Sequence, residues 1–144
     1  MKHKGATMEY SKERIDDLMR VYDEYISSCR YIRMSDVYNK IVNMPSVRFW
    51  VSDIRAALVV SAIIRGEAEL NAMWPMKKKM FAEIHKRVIL LLEEKPELSI
   101  SQSCAIVVAQ PAPQFYLTAG SAKIMICKAR KKWIQEKMKR LRLL

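Results

Sequence analysis

The sequence contains little of what most enzymes and metalloproteins use. Glycine occurs only three times in 144 residues, at widely separated positions, so a glycine-rich phosphate-binding loop cannot be formed. The two histidines and three cysteines fall at no spacing typical of metal ligands, and a Cys-x-x-Cys motif is absent. We therefore expect no metal site and no cofactor. An odd cysteine count in a lysine-rich chain is typical of a reducing compartment.

The sequence also lacks long apolar segments. Its longest near-apolar run, AALVVSAII, covers residues 56–64 and is too short to cross a bilayer. The N-terminal residues MKHKGATMEYSKERIDD are polar and contain no apolar signal core. We predict that the protein has no membrane span and is cytoplasmic.

Acidic residues are scarce relative to basic ones. Asp and Glu number 15 against 26 Lys and Arg, which gives a net charge of +11 and favours a polyanionic partner. The acidic residues include adjacent pairs on expected helix surfaces, without the spaced triad of a metal-dependent nuclease. No second histidine and no suitably placed base lies near His85 in the sequence, so His85 is interpreted as a surface residue. We predict no catalytic residues and a protein that is not an enzyme.

The most informative feature is an internal duplication. Residues 45–52 read PSVRFWVS and residues 111–118 read PAPQFYLT, at an offset of 66. Phe49 and Phe115 are identical in this alignment, and apolar positions agree over some fifty flanking residues without a gap. We refer to these two segments as the first and second octets, and we predict that both phenylalanines are buried.

Each repeat predicts the same three helices, so the expected fold is all-α. A long amphipathic helix precedes a short one, and the octet then leads into a third helix. We predict two tandem three-helix units, at 1–66 and 75–144, with a connector at 67–74. The third helix of the first unit is apolar nearly all round, so it is expected to lie between the units of one pseudo-two-fold domain. The octets form either a small antiparallel ribbon or irregular turns.

Capping signals predict where the helices begin and end. Pro75 suits the first turn of a helix, Pro96 ends that helix, and Gly66 is a plausible C-cap. The predicted N-caps are Ser11, Ser35, Ser52, Ser99 or Ser101, and Thr118.

The excess positive charge is concentrated near the C-terminal end of the sequence. Residues 123–144 contain nine basic residues and a single acidic one, Glu136. We predict that this helix contacts nucleic-acid phosphates. A second basic cluster, which consists of Lys77, Lys78 and Lys79 with Lys86 and Arg87, is expected to help. The candidate residues are Lys123, Lys128, Arg130, Lys131, Lys132, Lys137, Lys139, Arg140, Lys77, Lys78, Lys79 and Arg87.

The same basic helix carries apolar residues and therefore has more than one interpretation. Helical spacing aligns an apolar stripe, with Trp133 beside it: Ile124, Cys127, Ile134, Met138 and Leu141. Phosphate binding is the interpretation we favour, while a helix lying on a membrane surface and a merely solvated face stay open. The three cysteines are interpreted as core thiols.

Two resemblances to known proteins indicate a fold family and a biological setting. A short helix, a connection and a capped third helix resemble the helix-turn-helix family, although the connection is about twice the three or four residues usual there. In that resemblance Ser121, Lys123 and Lys128 lie on the recognition helix. The segments YSKERIDDLMRVY, RFWVSDIRAALVV and PAPQFYLTAGSAKIMICK resemble small basic proteins carried by phages and mobile elements of gut Bacteroidetes. That resemblance covers most of the chain and implies a host-cytoplasmic location, but no functional residues.

The leading functional prediction is a non-enzymatic nucleic-acid-binding protein. DNA is favoured over RNA, in the role of a small phage or mobile-element regulator or accessory factor. The alternative is a structural or protein-interaction module, such as a virion component or an inhibitor of a host system, whose basic face binds an acidic protein partner.

Overall fold

The structure, a computed structural model, describes residues 4–66 and 73–143; most of the predicted connector, residues 67–72, lies outside these ranges. The prediction of an all-α fold is confirmed, because no strand occurs in the described ranges. No helix in them combines the length and the apolar character needed to span a bilayer. The helices are α1 (Lys4–Ser28), α2 (Met34–Val42), α3 (Asp53–Ile64), α4 (Pro75–Glu94), α5 (Ile100–Val108) and α6 (Ala119–Arg142).

The predicted caps of α3, α5 and α6 are confirmed. The Ser52 hydroxyl accepts a hydrogen bond from the backbone N–H of Arg55, and the Thr118 hydroxyl accepts one from Ser121. Ser99 caps α5 in a reciprocal capping box with Gln102.

The starts of α1 and α2 differ from the predictions. Helix α1 begins at Lys4, well before Ser11, because the intervening residues contain no helix breaker stronger than Gly5. Helix α2 begins at Met34 after Arg33, whose extended backbone makes it the N-cap without a side-chain hydrogen bond. Ser35 therefore lies inside the helix, where its hydroxyl does not cap it.

The helices form two packed groups, and each group draws on both halves of the sequence. Helix α3 packs against α4 and α5, while α6 packs against α1 and α2. Among the described residues α3 makes no contact with α1 or α2, the helices that precede it. The third helix of each repeat thus packs on the first two helices of the other repeat.

Each octet carries its phenylalanine into one of these groups. Phe49 is fully buried among residues of α3, α4 and α5, and Phe115 is 4% exposed among residues of α1, α2 and α6. The prediction that both rings are buried anchors is confirmed. Each ring packs beside the third helix that follows it in the chain. Each octet therefore connects the second helix of one repeat to a third helix that packs on the other repeat.

The two octets meet through hydrogen bonds between corresponding positions. Ser46 and Ala112, which are 66 residues apart, exchange two backbone hydrogen bonds of 3.0 and 3.1 Å. The Phe49 N–H donates to the Val108 carbonyl at 3.0 Å, and the Phe115 N–H donates to the Val42 carbonyl at the same distance. The Ser46–Ala112 pair is an isolated antiparallel bridge, so the contact is ordered but shorter than a ribbon.

Different chemistry fixes the two octets to their neighbouring helices. The buried Asp17 carboxylate on α1 accepts hydrogen bonds from the Val47 N–H at 3.0 Å and from the Trp50 indole at 3.2 Å. On the other side, the Arg87 guanidinium on α4 donates to the Pro111 carbonyl at 2.9 Å. One octet is thus fixed by a carboxylate and the other by a guanidinium.

Candidate nucleic-acid interface

Helix α6 extends well past the helices on which it packs. Its Ala122 and Ile126 are fully buried against α1 and α2, whereas every residue from Lys131 to Leu143 is exposed. In the repeat alignment the end of α3 at Ile64 corresponds to Arg130. Residues 131–142, which we call the arm, therefore have no counterpart in the first repeat. At about 1.5 Å per residue the arm is roughly 18 Å long.

Part of the predicted site lies together on one exposed side of α6. The spacing i, i+3, i+4, i+11 and i+14 places five basic side chains within about 100° of the helix circumference. Arg142 completes this set, and helical spacing from Lys128 is the sequence signal that identifies it. We call the set the basic face: Lys128, Lys131, Lys132, Lys139 and Arg142. Glu136 lies outside that arc, so the basic face contains no acidic residue.

Other predicted residues of α6 point elsewhere. The Arg130 guanidinium donates to the Tyr22 hydroxyl at 3.3 Å and lies 6.0 Å from the centre of that ring. The Lys137 ammonium lies 5.0 Å from the centre of the Trp133 ring. Lys123 and Arg140 are exposed but lie outside the arc of the basic face.

The apolar residues of α6 do not act as one packed stripe. The helix packs through a different side, which carries the fully buried Ala122 and Ile126 and the half-buried Ala129, while Ile124 is 57% exposed. On the arm, four apolar residues occupy a sector that begins beside Lys131 and extends around the side opposite the basic face, and all are about half exposed or more. We call this set the apolar sector: Trp133, Ile134, Met138 and Leu141.

The cysteines fall in three different environments. Cys104 is buried, as predicted, and burial raises the pKa of its thiol to about 11. The core-thiol interpretation is wrong for Cys127, which is exposed, and Cys29 is only partly buried. Burial also raises the pKa of Tyr38, and the neighbouring Cys127 thiol raises it further. The error at Cys127 arises because α6 turns the side that carries Ala122 and Ile126, rather than the side that carries Ile124 and Cys127, toward the core.

The second basic cluster lies on a different helix group. Lys77, Lys78 and Lys79 are exposed on α4, which makes no contact with α6 among the described residues. Arg87 is held within the fold, because it also pairs with Glu83 at 3.0 Å and lies 4.9 Å above the Phe49 ring. The structure therefore separates the α4 lysines from the basic face and gives Arg87 internal partners.

Two shallow clefts occupy corresponding places in the two groups. One lies between Ser101 of α5 and Asp53 of α3, and the other between Ser35 of α2 and Ala119 of α6. The remaining linings are Ile54, Ala57, Leu58 and Ser61 in the first and Met34, Tyr38, Gly120 and Lys123 in the second. Within the described ranges no three His, Cys, Asp or Glu side chains are placed to hold a metal ion.

Comparison with known proteins adds no relative. No family model matches the sequence, and no curated protein or solved structure is significantly similar to it. Function must therefore be argued from the site itself.

Proposed function

We propose that the protein binds nucleic acid, with DNA favoured over RNA, and that it does so without catalysing a reaction. The observation that carries this proposal is the basic face, whose five cations lie on one exposed side of a single helix. From Lys128 to Arg142 this face is about 21 Å long. Duplex DNA carries about one phosphate charge per 1.7 Å of axis, so a face of this length can meet several phosphates at once.

The neighbours of the basic face support an interface that faces outward. Helix α6 is held on its other side by Ala122 and Ile126, which pack on α1 and α2. Lys128 is therefore presented on the packed part of α6, and the other members of the basic face continue the same helix along the arm. Contacts of this kind position a protein on the duplex and carry little sequence information.

A helix-turn-helix-like arrangement is part of the proposal. The consecutive pairs that the sequence predicts, α2 with α3 and α5 with α6, do not pack against each other among the described residues. In the proposal the helix pair is therefore α2 and α6, which do pack together although they come from different repeats. The start of α6 is fixed by the Thr118 cap, which also donates a hydrogen bond to the Ser121 hydroxyl at 3.0 Å. Lys123 is exposed one turn further on and lies close enough to this start to contact a groove.

We also infer a pseudo-two-fold relation between the two repeats, with exchanged third helices. The support is the pairing of Ser46 with Ala112, since these positions correspond in the repeat. The Phe49–Val108 and Phe115–Val42 hydrogen bonds likewise exchange under the 66-residue offset. In this proposal the second copy has acquired the basic arm and the first serves as a scaffold. The cytoplasmic phage or mobile-element setting rests on sequence resemblance alone.

Matched charge variants test the proposal. Lys128→Gln, Lys131→Gln and Lys132→Gln together remove three charges from the basic face, and the control removes three from α4 through Lys77→Gln, Lys78→Gln and Lys79→Gln. Binding to random duplex DNA is measured across a salt series by fluorescence anisotropy. The log–log slope should fall by about 0.9 for each phosphate interaction that the first variant removes, and it should change little in the control.

Three results would redirect the proposal. If the α4 variant loses the slope instead, DNA binding stands but its location moves to α4. If RNA outcompetes DNA of equal length, RNA becomes the favoured partner. If the wild-type protein binds neither at low salt, the proposal fails, and an acidic protein partner for the basic face becomes the better explanation.

A further inference from the structure

The apolar sector of the arm is not explained by nucleic-acid binding. Trp133 is 62% exposed, and Ile134, Met138 and Leu141 are each about half exposed. Met138 lies beside the basic face, but Trp133, Ile134 and Leu141 lie on the far side of the helix, where a duplex held by that face would not cover them. The arm also lies beyond the end of the repeat, so the sector is not needed to complete the core.

Charge complementarity limits what can cover this sector. The arm contains six basic residues and one acidic residue, so it carries a net charge of +5 (6 − 1). Two arms packed against each other would bring these charges together, which opposes a second copy as the occupant. An occupant must instead be both apolar and anionic.

A bilayer that contains acidic lipids meets both requirements without a preformed groove. Basic residues border the apolar sector, with Lys131 on one side and Arg140 on the other, and Lys137 lies within it. Long basic side chains can extend to lipid headgroups while their neighbours enter the acyl boundary. Lys137 already lies against the Trp133 ring, so its stem adds to the apolar side. Tryptophan is favoured at the boundary between headgroups and acyl chains.

We propose that the arm is an interfacial anchor, which lays Trp133, Ile134, Met138 and Leu141 onto an anionic membrane surface. The helix would lie in the plane of the interface, with Lys128 and Lys139 of the basic face directed away from the lipid. A short helix of this kind binds weakly and reversibly, with an affinity that depends on both its apolar area and its charge. The membrane and the proposed nucleic acid would then occupy different sides of one helix.

The test uses the whole protein and vesicles of two compositions, phosphatidylcholine alone and a three-to-one mixture with phosphatidylglycerol. The variant combines Ile134→Gln, Met138→Gln and Leu141→Gln, which preserve charge and helix propensity. The control combines Ile54→Gln and Leu58→Gln on α3, which are 72% and 61% exposed in the wild type. Co-sedimentation measures binding, and the emission of Trp133 reports its environment, with Trp133→Phe identifying its contribution.

We expect binding to the anionic vesicles with a blue shift that is lost in Trp133→Phe, and a reduction of about tenfold or more in the triple variant. The α3 control should bind as the wild type does. Absence of binding to anionic vesicles would overturn the proposal, as would equal binding by the triple variant, which would indicate adsorption by charge alone. DNA binding is measured on the same samples, and because the triple variant keeps the basic face, the two proposals succeed or fail separately.

Discussion

Helices α3 and α6 occupy corresponding places in the two repeats but have different surfaces. Both begin at a hydroxyl cap, Ser52 or Thr118, and both bury an alanine one turn later, at Ala56 and Ala122. Beyond these shared features α3 contains one acidic and one basic residue, whereas α6 contains nine basic residues and one acidic residue. The packing positions are thus kept in both repeats, while the exposed positions have diverged.

The two helices also end differently. The chain leaves α3 through Gly66, whose φ of 78° is a backbone conformation that glycine adopts without strain. At the corresponding point α6 continues through Arg130 and Lys131 into the arm. The part of α6 that packs on other helices is thus about as long as α3, and the additional turns of α6 are exposed.

The largest expected effect concerns the feature that the two halves share most closely. Phe49→Ala and Phe115→Ala should each lower the free energy of unfolding by about 3–5 kcal/mol, because each leaves a cavity the size of a ring in a separate group of helices. Urea denaturation followed by circular dichroism measures both. A loss below 1 kcal/mol at either position would show that the two phenylalanines do not contribute equally to stability.

The buried cysteine of α5 should make stability depend on pH. Burial raises the pKa of Cys104 from 9.0 to about 11, so the folded chain keeps this thiol protonated where the unfolded chain loses the proton. Stability from this residue is therefore intact below pH 9 and is lost as the pH rises toward 11. The difference between these two pKa values corresponds to an upper limit of about 2.7 kcal/mol.

Cys104→Ala should flatten the decline of stability between pH 9 and 11, although it costs stability at pH 7. Urea denaturation of the wild type and the variant between pH 7 and 11 measures both effects. In the wild type at pH 8, a thiol reagent should modify Cys127 rapidly and Cys104 only on unfolding. Rapid native labelling of Cys104 would contradict its placement in the core.

The two octets should respond differently to loss of a carboxylate on the first helix of each repeat. Asp17→Asn removes a charged acceptor from the Val47 N–H and the Trp50 indole and should cost about 1.5–3 kcal/mol. The corresponding residue in the second repeat, Glu83, is partly exposed and pairs with Arg87. Glu83→Gln should therefore cost less than about 1 kcal/mol. Thermal unfolding measures the stability of both variants, and equal losses of stability would show that the two carboxylates hold their octets equally.

A smaller effect of opposite sign is expected on α5. The Ser103 hydroxyl is buried and has no hydrogen-bond partner among the described residues, whereas the corresponding residue of the first repeat is the buried Val37. Ser103→Ala removes an unsatisfied polar group and should stabilise the fold by about 1 kcal/mol. Ser101→Ala on the exposed side of the same helix is the control. A destabilising Ser103→Ala would indicate that the hydroxyl has a partner.

Local features of the fold could be predicted from sequence because short-range chemistry determines them. Hydroxyl caps such as Ser52 and Thr118 satisfy the first backbone donors of a helix wherever it packs. The repeated phenylalanines predict buried anchors because each repeat needs a large apolar side chain at the same point. Spacing and capping chemistry are therefore sufficient to predict helix type and these core positions.

Long-range features could not be predicted in this way. An apolar helix such as α3 does not specify in its sequence whether it packs on α1 or on α4, since either offers an apolar side. Sequence spacing places Arg87 among the phosphate-binding candidates. Its contact with the Pro111 carbonyl could not be predicted, because that contact joins residues far apart in the chain and has no local signal. On α6 helical spacing emphasises the stripe that contains Ile124, but the side that packs carries Ala122 and Ile126.

The smallest expected effect tests the comparison of α3 with α6 most directly. Ending the chain after Lys132 gives α6 nearly the length of α3 and removes only exposed residues of the arm. The free energy of unfolding should stay within about 0.5 kcal/mol of the wild type, because surface changes away from buried contacts rarely exceed this. The Arg130–Tyr22 contact is retained, so the packed part of α6 is intact. Urea denaturation of both chains provides the measurement, and helix content should fall only by the removed turns. A loss above 1 kcal/mol would mean that the arm covers part of the fold, whereas an unchanged stability would show that the arm is dispensable for folding.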